Sequence, residues 1–334
     1  MAMDGRRLAG TFELVLALGL VWALGLVLAL SAAPGASAQA LSTHRARAAV
    51  RGAQPTSTAS AAAATSGICT WAGHPRRAAR LSGEIAAALR GRSSVVGLAV
   101  YDRATGLTCK LHPHWRFDSA SVVKVTILAA LLRKLQQEHR GLTAGQRELA
   151  TEMITVSDND AASALWAQAG RPAMQHFLDL AGMRETELGP GGYWGLTQIT
   201  AHDELTLLKL LTRKNSVLAT ASRDYVLGLM ARVVSYERWG VPAGAPAGVT
   251  VHVKNGWLPL PTHGWRINSI GSFSGHGRDY MIVVLTMDNP TMAYGVDTIQ
   301  GVAEVINRAL NPGAASALPA AALGTPGERI PAGG

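Results

Sequence analysis

Residues 121–137 read SVVKVTILAALLRKLQQ, and the rest of the chain is interpreted outward from them. Their apolar residues recur at helical spacing, which predicts a helix with one strongly apolar face. Ser121 and Lys124 stand near its start, and a separation of three residues places both side chains on one face, about one turn apart. A lysine can accept the proton of a serine hydroxyl if burial and nearby positive charge keep it neutral. The pair therefore predicts an activated serine, although by itself it also fits a helix cap and a surface lysine.

Two further motifs follow in order along the chain. Ser157-Asp158-Asn159 lies between two predicted helices, and Lys254-Asn255-Gly256 ends a predicted strand. Each has a structural explanation of its own, the first as a helix cap and the second as the end of a strand before a turn. The ordered set of three is far less probable by chance than any one member. The three motifs together favour one catalytic site.

The predicted elements run in the order helix, two strands, helical block, three strands, helix. The periodicity predicts strands over 94–101, 107–111, 249–254, 265–272 and 279–287, and helices over 74–90, 121–137, 143–155, 161–168, 173–180, 202–211, 222–233 and 297–310. Strands so far apart in sequence need a common sheet. One α/β lobe is therefore expected to be built from both ends of the domain, with the helical block inserted.

The N-terminus has the pattern of an exported chain. Arg6 and Arg7 precede an apolar run over 14–30 and then small residues as far as Ala38, which predicts a secretory signal peptide over 1–38. If it is not cleaved, the same run is long enough to be a single-pass anchor. Both alternatives place the folded part outside the cytosol, either secreted or held at the membrane.

The remaining boundaries follow from composition. Residues 39–67 are rich in Ala, Ser and Thr without apolar periodicity, and predict a disordered tether; 311–334 predict a disordered tail. The domain is expected over 68–310, with an α/β lobe formed by 68–118 and 244–310 and a helical lobe over 119–243.

Charge and cysteine content limit the partners. The net charge of +9 does not indicate nucleic acid, because the chain is exported and has no dense basic stripe interleaved with aromatics. An anionic envelope surface and a scattered charge without any partner both remain open. Cys69 and Cys109 permit a disulfide in an oxidising compartment, or two separate thiols. We expect no metal and no cofactor, because two cysteines do not make a ligand set and His112-x-His114 has no third ligand in view.

The three motifs resemble the signature of the penicillin-recognising serine enzymes, and of the class A β-lactamases in particular: Ser-x-x-Lys, Ser-Asp-Asn and Lys-Thr-Gly. The resemblance covers most of residues 68–310. It implies a β-lactamase-like α/β plus all-α fold, in which a five-stranded antiparallel sheet is flanked by the terminal helices and carries an inserted helical lobe.

The resemblance also implies roles for individual residues. Ser121 would be the acylated nucleophile, Lys124 its proton acceptor, and Ser157 the relay to the leaving nitrogen. Backbone N–H groups of Ser121 and Trp257 would form the oxyanion hole. The expected substrate-binding residues are Asn159 for an amide, Lys254, Asn255 and Gly256 of the third motif, Trp257, and Arg266 as a second carboxylate-binding position.

Departures from the class A pattern are equally informative. The loop over 184–195 lacks the family's Glu-x-x-Leu-Asn, and Gly189 stands where the water-holding Asn should be. Glu185 and Glu187 are its only carboxylates, and they also fit ordinary solvated charges. The base for deacylation is therefore expected to be missing or impaired. Asn255 replaces the hydroxyl residue of the third motif, which puts carboxylate recognition in doubt.

The resulting expectation is an exported, monomeric serine hydrolase that forms an acyl-enzyme at Ser121. Its substrate would be an amide or ester, namely a β-lactam or a cell-wall peptide, with D-Ala-D-Ala peptidase-like activity possible and deacylation slow. The alternative is a catalytically impaired envelope protein that binds peptide or peptidoglycan-like ligands in the same cleft. Neither hypothesis involves nucleic acid, and the membrane enters only through an uncleaved N-terminal segment.

Overall fold

The structure is a computed structural model that describes residues 67–315. The predicted signal peptide, the tether as far as residue 66 and the tail beyond residue 315 lie outside this range. Among the helices over 67–315, none combines the length and apolar character that a membrane crossing needs. The proposed domain and lobe limits stay predictions.

A six-stranded antiparallel sheet forms the centre of the fold, in the order β1-β3-β2-β8-β7-β6. Its strands are β1 (Cys69–Thr70), β2 (Val95–Asp102), β3 (Thr108–Leu111), β6 (Thr250–Pro259), β7 (Trp265–Gly275) and β8 (Arg278–Asn289), while β4 (Phe117–Asp118) and β5 (Gln198–Ile199) pair separately. The five predicted strands are all present. The sixth, β1, has two residues, which is too short to give a periodic signal in the sequence.

A disulfide attaches β1 to the sheet. Cys69 and Cys109 lie opposite each other on β1 and β3, both buried, and their sulfur atoms are bonded. The two cysteines are 40 positions apart, and closing a loop of that size contributes about 4 kcal/mol in the chain-entropy account. Of the two alternatives that the sequence left open, the structure has the disulfide.

Helices cover both faces of the sheet. Helices α1 (Pro75–Leu89) and α8 (Met292–Leu310) share one core with the strand side chains Tyr280, Ile282 and Val284. The alternate residues Met281, Val283 and Leu285 pack into the core of the helical block. This period-two alternation along β8 is what a strand buried on both faces requires. Helix α8 begins earlier than predicted because the side chain of Thr291 caps it at Tyr294 N.

The helical block lies between β4 and β6. Its helices are α2 (Val123–Gln137), α3 (Ala144–Thr155), α4 (Asn159–Ala169), α5 (Arg171–Ala181), α6 (Ala201–Leu211) and α7 (Thr220–Ala231). Side-chain caps start three of them: Thr143 in a capping box with Gln146, Asp158 on Ala161 N, and Thr200 on Asp203 N. The cap at Asp158 places Ser157 and Asn159 on either side of a helix start.

Candidate active site

Ser121 lies in a 3-10 turn, Ala120–Val122, that leads directly into α2. Its neighbour Ala120 has a positive φ of 46°, which is uncommon outside glycine and marks local backbone strain. The edge strand β6 touches this turn. A Cβ added to Gly256 would stand 2.7 Å from Ser121 N and 2.9 Å from Val122 N. Glycine is therefore required at the third motif, because the strand and the turn approach backbone to backbone.

Lys124 is completely buried below the turn. Its ammonium donates to Ser157 O at 2.6 Å and to Asn159 Oδ1 at 2.7 Å, and lies 3.3 Å from Ser157 Oγ. The Trp194 ring covers it, with its centroid 4.8 Å from Nζ. The second motif thus binds the Lys124 ammonium through both a backbone carbonyl and a side-chain amide oxygen.

Lys254 also contacts Ser157. Its ammonium donates to Ser157 Oγ at 2.8 Å and to Asn255 O at 2.9 Å. The Ser157 hydroxyl therefore stands between two buried lysines, and Ser157 itself has a positive φ of 56°. Lys124, Ser157 and Lys254, one residue from each motif, come together at the Ser157 hydroxyl; their predicted convergence on the Ser121 hydroxyl stays a prediction.

Burial lowers the pKa of both lysines. Removal from water lowers the pKa of Lys124 well below its ordinary value, and the charge of Lys254 lowers it further, against the opposing effects of Glu237 and Asp158. Burial also lowers the pKa of Lys254, with Glu237 again opposing. A larger fraction of Lys124 is therefore neutral near pH 7 than for a lysine in water.

Glu237 is a member of this cluster that the sequence analysis missed. It ends the 3-10 turn Ser235–Glu237, is 4% exposed, and holds Oε2 3.8 Å from Lys254 Nζ. That oxygen has no hydrogen bond among the described residues. Its segment carries no recognisable motif, so no signal in the sequence pointed to it.

Asn255, expected among the substrate-binding residues of the third motif, has its side-chain amide engaged within the protein. Its side-chain amide donates to Glu237 O at 2.7 Å and Trp239 O at 2.9 Å. Neighbouring residues of a strand point to opposite faces, so Asn255 turns away where Lys254 turns toward the cluster. The amide holds the segment that carries Glu237.

Arg266 is also engaged elsewhere. Its guanidinium forms an ion pair with Asp118 at 2.8 Å and donates to the carbonyl oxygens of Thr262 and Gly264. It is 4% exposed. The structure does not bring Arg266 to the two lysines; its contacts fix the strand that leads to Ser121.

Three aromatic residues of the site, Trp257, Tyr193 and Trp194, have different environments. The Trp257 side chain packs edge-on against Trp239, with ring centroids 6.0 Å apart. Its backbone follows Gly256, so the predicted role of its N–H beside Ser121 N stays compatible with this placement. Tyr193 is 60% exposed, and its neighbour Trp194 is buried and donates to Ser163 Oγ.

The loop over 184–195 brings an indole, and not a carboxylate, to Lys124. Glu185 Oε1 lies 2.8 Å from His114 Nδ1, and Thr200 Oγ1 donates to Glu185 Oε2 at 2.9 Å. Burial raises the pKa of Glu185, but these hydrogen bonds outweigh it and the net pKa is lowered. Glu187 pairs with Arg116 at 2.8 Å and is mostly exposed. Both loop carboxylates are thus held by partners other than Lys124.

Comparison with known proteins agrees with this fold. The model of the beta-lactamase enzyme family matches residues 80–146 and 140–310. A curated relative is LppW of Mycobacterium tuberculosis, whose name gives it as a candidate lipoprotein; it is 26% identical over 217 residues, 63% of this chain and 67% of LppW.

Solved structures share the architecture. A class A beta-lactamase from Bacteroides cellulosilyticus matches with a TM-score of 0.61 and 20% identity, over 70% of this chain and 97% of that one. A PBP-A mutant, solved as an acyl-enzyme complex with penicillin G, matches with a TM-score of 0.59 and 19% identity, over 69% and 95% of the two chains. At these identities the likeness establishes the fold.

Proposed function

Because the chain belongs to the beta-lactamase enzyme family, we propose that it is a serine hydrolase that forms an acyl-enzyme at Ser121. The substrate is an amide or ester, either a β-lactam or a cell-wall peptide, and deacylation is slow. The observation that carries the proposal is the Ser157 hydroxyl between Lys254 and Lys124, the lysine that follows Ser121 by one helical turn.

These positions support the following first half-reaction. Neutral Lys124 accepts the Ser121 hydroxyl proton as Oγ attacks the substrate carbonyl carbon and forms a tetrahedral oxyanion. Backbone N–H groups of Ser121 and Trp257 donate to that oxyanion. When the C–N bond breaks, the proton passes from Lys124 through the Ser157 hydroxyl to the leaving nitrogen. Lys254 supplies positive charge for a substrate carboxylate, and the Asn159 amide contacts the substrate.

For the second half-reaction, hydrolysis of the acyl-enzyme, the protein offers fewer assisting groups. Hydrolysis needs water and a base, and the loop over 184–195 presents Trp194 to Lys124 while its two carboxylates bind His114 and Arg116. This observation also favours the second candidate, an envelope protein that binds peptide or peptidoglycan-like ligands in the cleft without turnover.

The location is part of the proposal. Residues 1–38 have a signal-peptide pattern, and the curated relative LppW is named as a candidate lipoprotein. We place the domain outside the cytosol as a monomer, where cell-wall peptides and β-lactams are both encountered.

Intact-protein mass spectrometry separates the two candidates. Incubation with penicillin G, the compound bound covalently by the PBP-A neighbour, should add the mass of one penicillin to the wild type and nothing to Ser121→Ala. A fluorophosphonate serves as a second probe, independent of β-lactam recognition. Absence of labelling by both compounds in a folded protein would favour the binding function.

A further inference from the structure

His114, Glu185 and His202 come together from three separate parts of the chain. One nitrogen or oxygen atom of each lies within 4.8 Å of those of the other two. His114 Nδ1 is 2.8 Å from Glu185 Oε1, His202 Nδ1 is 3.8 Å from Glu185 Oε2, and the two imidazole rings have centroids 5.0 Å apart. We call these three residues the His-Glu-His cluster.

A shell of hydrogen bonds fixes the cluster. Asp203 is fully buried, and its Oδ2 accepts from Glu185 N at 2.9 Å and Thr186 Oγ1 at 2.7 Å. Its other oxygen lies 3.2 Å from His202 Nδ1. Thr200 Oγ1 donates to Glu185. A ligand carboxylate that accepts a hydrogen bond, as Glu185 does from Thr200, has the kind of outer contact that metal ligands usually have.

The chemistry of the cluster suits a zinc-type ion. Two imidazoles and one carboxylate are the three protein ligands of many zinc sites, with a fourth position left for water. Imidazole ligands favour Zn²⁺, Co²⁺ and Ni²⁺ over Ca²⁺ and Mg²⁺, which prefer oxygen. His114 is 57% and His202 41% exposed, so an ion can enter from solvent.

We propose that the His-Glu-His cluster binds one divalent transition-metal ion of the zinc class. This proposal departs from the expectation of no metal, which rested on the two cysteines and on His112-x-His114. His112 is not part of the site: its ring stacks on Trp115 with centroids 4.0 Å apart, and its Nδ1 lies 3.1 Å from Val96 O. The missing ligands come from residues distant in sequence, which only the fold brings to His114.

The cluster also connects two segments of the candidate active site. His114 lies shortly before β4, which leads to Ser121, and the backbone N–H of His202 donates to Pro113 O. Glu185 lies at the start of the loop that carries Trp194 onto Lys124. A bound ion would join the beginning of that loop to the segment ahead of the nucleophile. The proposal does not depend on acylation of Ser121.

The test is a metal titration of the full chain without an added histidine tag. The protein is stripped with a chelator and titrated with Zn²⁺ by calorimetry, and with Co²⁺ by visible absorption. We expect about one ion per chain. The variants His114→Ala, His202→Ala and Glu185→Gln should each bind Zn²⁺ more weakly by at least the roughly 10–100-fold that loss of an outer contact costs a metal site.

The matched control is His263→Ala. His263 is an exposed histidine paired with Asp288 at 2.8 Å, but within residues 67–315 it belongs to no group of three ligand residues. Its substitution should leave Zn²⁺ affinity unchanged. Circular dichroism of the metal-free variants verifies that they fold. Failure of the wild type to bind Zn²⁺ stoichiometrically, or equal binding by the three cluster variants and the control, would overturn the proposal.

Discussion

At the residue scale, Glu237 opposes the effect of burial on the pKa of the two active-site lysines. Its carboxylate raises the pKa of both Lys124 and Lys254, in opposition to burial. In Glu237→Gln that opposition is lost, so both pKa values fall further and Lys124 becomes neutral at lower pH. If neutral Lys124 is the base, the acidic limb of the acylation rate plotted against pH should move to lower pH. Stopped-flow acylation with a chromogenic β-lactam between pH 5 and pH 9 measures the shift.

A control distinguishes this effect from a general change in charge. Glu187 is exposed and pairs with Arg116, so Glu187→Gln should leave the acidic limb in place. A shift of equal size in both variants, or a shift of the Glu237→Gln profile to higher pH, would contradict the assignment of Lys124 as base.

Gly256 provides a steric prediction. A methyl group at this position meets backbone nitrogen atoms of the Ser121 turn, which cannot rotate out of the way as a side chain could. Gly256→Ala should therefore destabilise the fold by about 1–3 kcal/mol through overpacking. It should also move β6 relative to Ser121, and a misplacement of about 1 Å can reduce a rate about 10²-fold. Thermal unfolding and acylation rates report the two effects.

Gly228→Ala is the matched substitution for comparison. Gly228 lies in α7, and a Cβ there meets nothing within 4 Å. Removing backbone freedom at a compatible helical site stabilises a protein by about 0.4–1 kcal/mol. If the Gly256→Ala variant is acylated as fast as the Gly228→Ala variant, the close approach of β6 to the turn is not needed for acylation.

At the scale of elements, the disulfide and the active site lie at opposite edges of the sheet. Cys69 is on β1, and Lys254 is on β6 at the far edge. The double variant Cys69→Ala, Cys109→Ala should lose about 2–4 kcal/mol of stability, and at about 2–4 °C per kcal/mol its melting temperature should fall by about 4–16 °C. Acylation at 25 °C should be unchanged. The wild type with its disulfide reduced should have the same melting temperature as the double variant. If the oxidised wild type also has that melting temperature, the disulfide does not contribute to stability.

The elements also show what the sequence could and could not predict. Helix starts were found to within a few residues where a Thr or Asp cap precedes an apolar pattern, as at Thr143 and Thr200. The convergence of Lys124, Ser157 and Lys254 was predictable because three motifs had to share one site. Glu237 was missed because its position depends on Asn255 holding the backbone of a segment without motif. The ion pair of Arg266 with Asp118 was not predicted, because it depends on tertiary geometry.

At the scale of the whole molecule, the sheet and the helical block contribute different parts of one site. The block supplies Ser121, Lys124 and Ser157, and the edge strand β6 supplies Lys254 and Gly256. In the proposed reaction, acylation would use groups from both sides, which are in contact through Lys254 and Ser157. Under the same proposal, hydrolysis of the acyl-enzyme would need a base in addition, and the loop over 184–195 holds its carboxylates against His114 and Arg116. The two half-reactions therefore depend on separate parts of the fold.

That separation predicts the time course with a β-lactam. Assistance by a general base is typically worth about 10²–10⁴-fold in rate, so deacylation without one should be slow. A chromogenic cephalosporin should give a burst of about one equivalent followed by little turnover, with the acyl-enzyme persisting in mass spectra. Glu185→Gln combined with Glu187→Gln should leave the deacylation rate unchanged, because neither carboxylate contacts Lys124. Rapid turnover without detectable acyl-enzyme would refute the predicted separation, and loss of that turnover in the double variant would identify the loop as the source of the base.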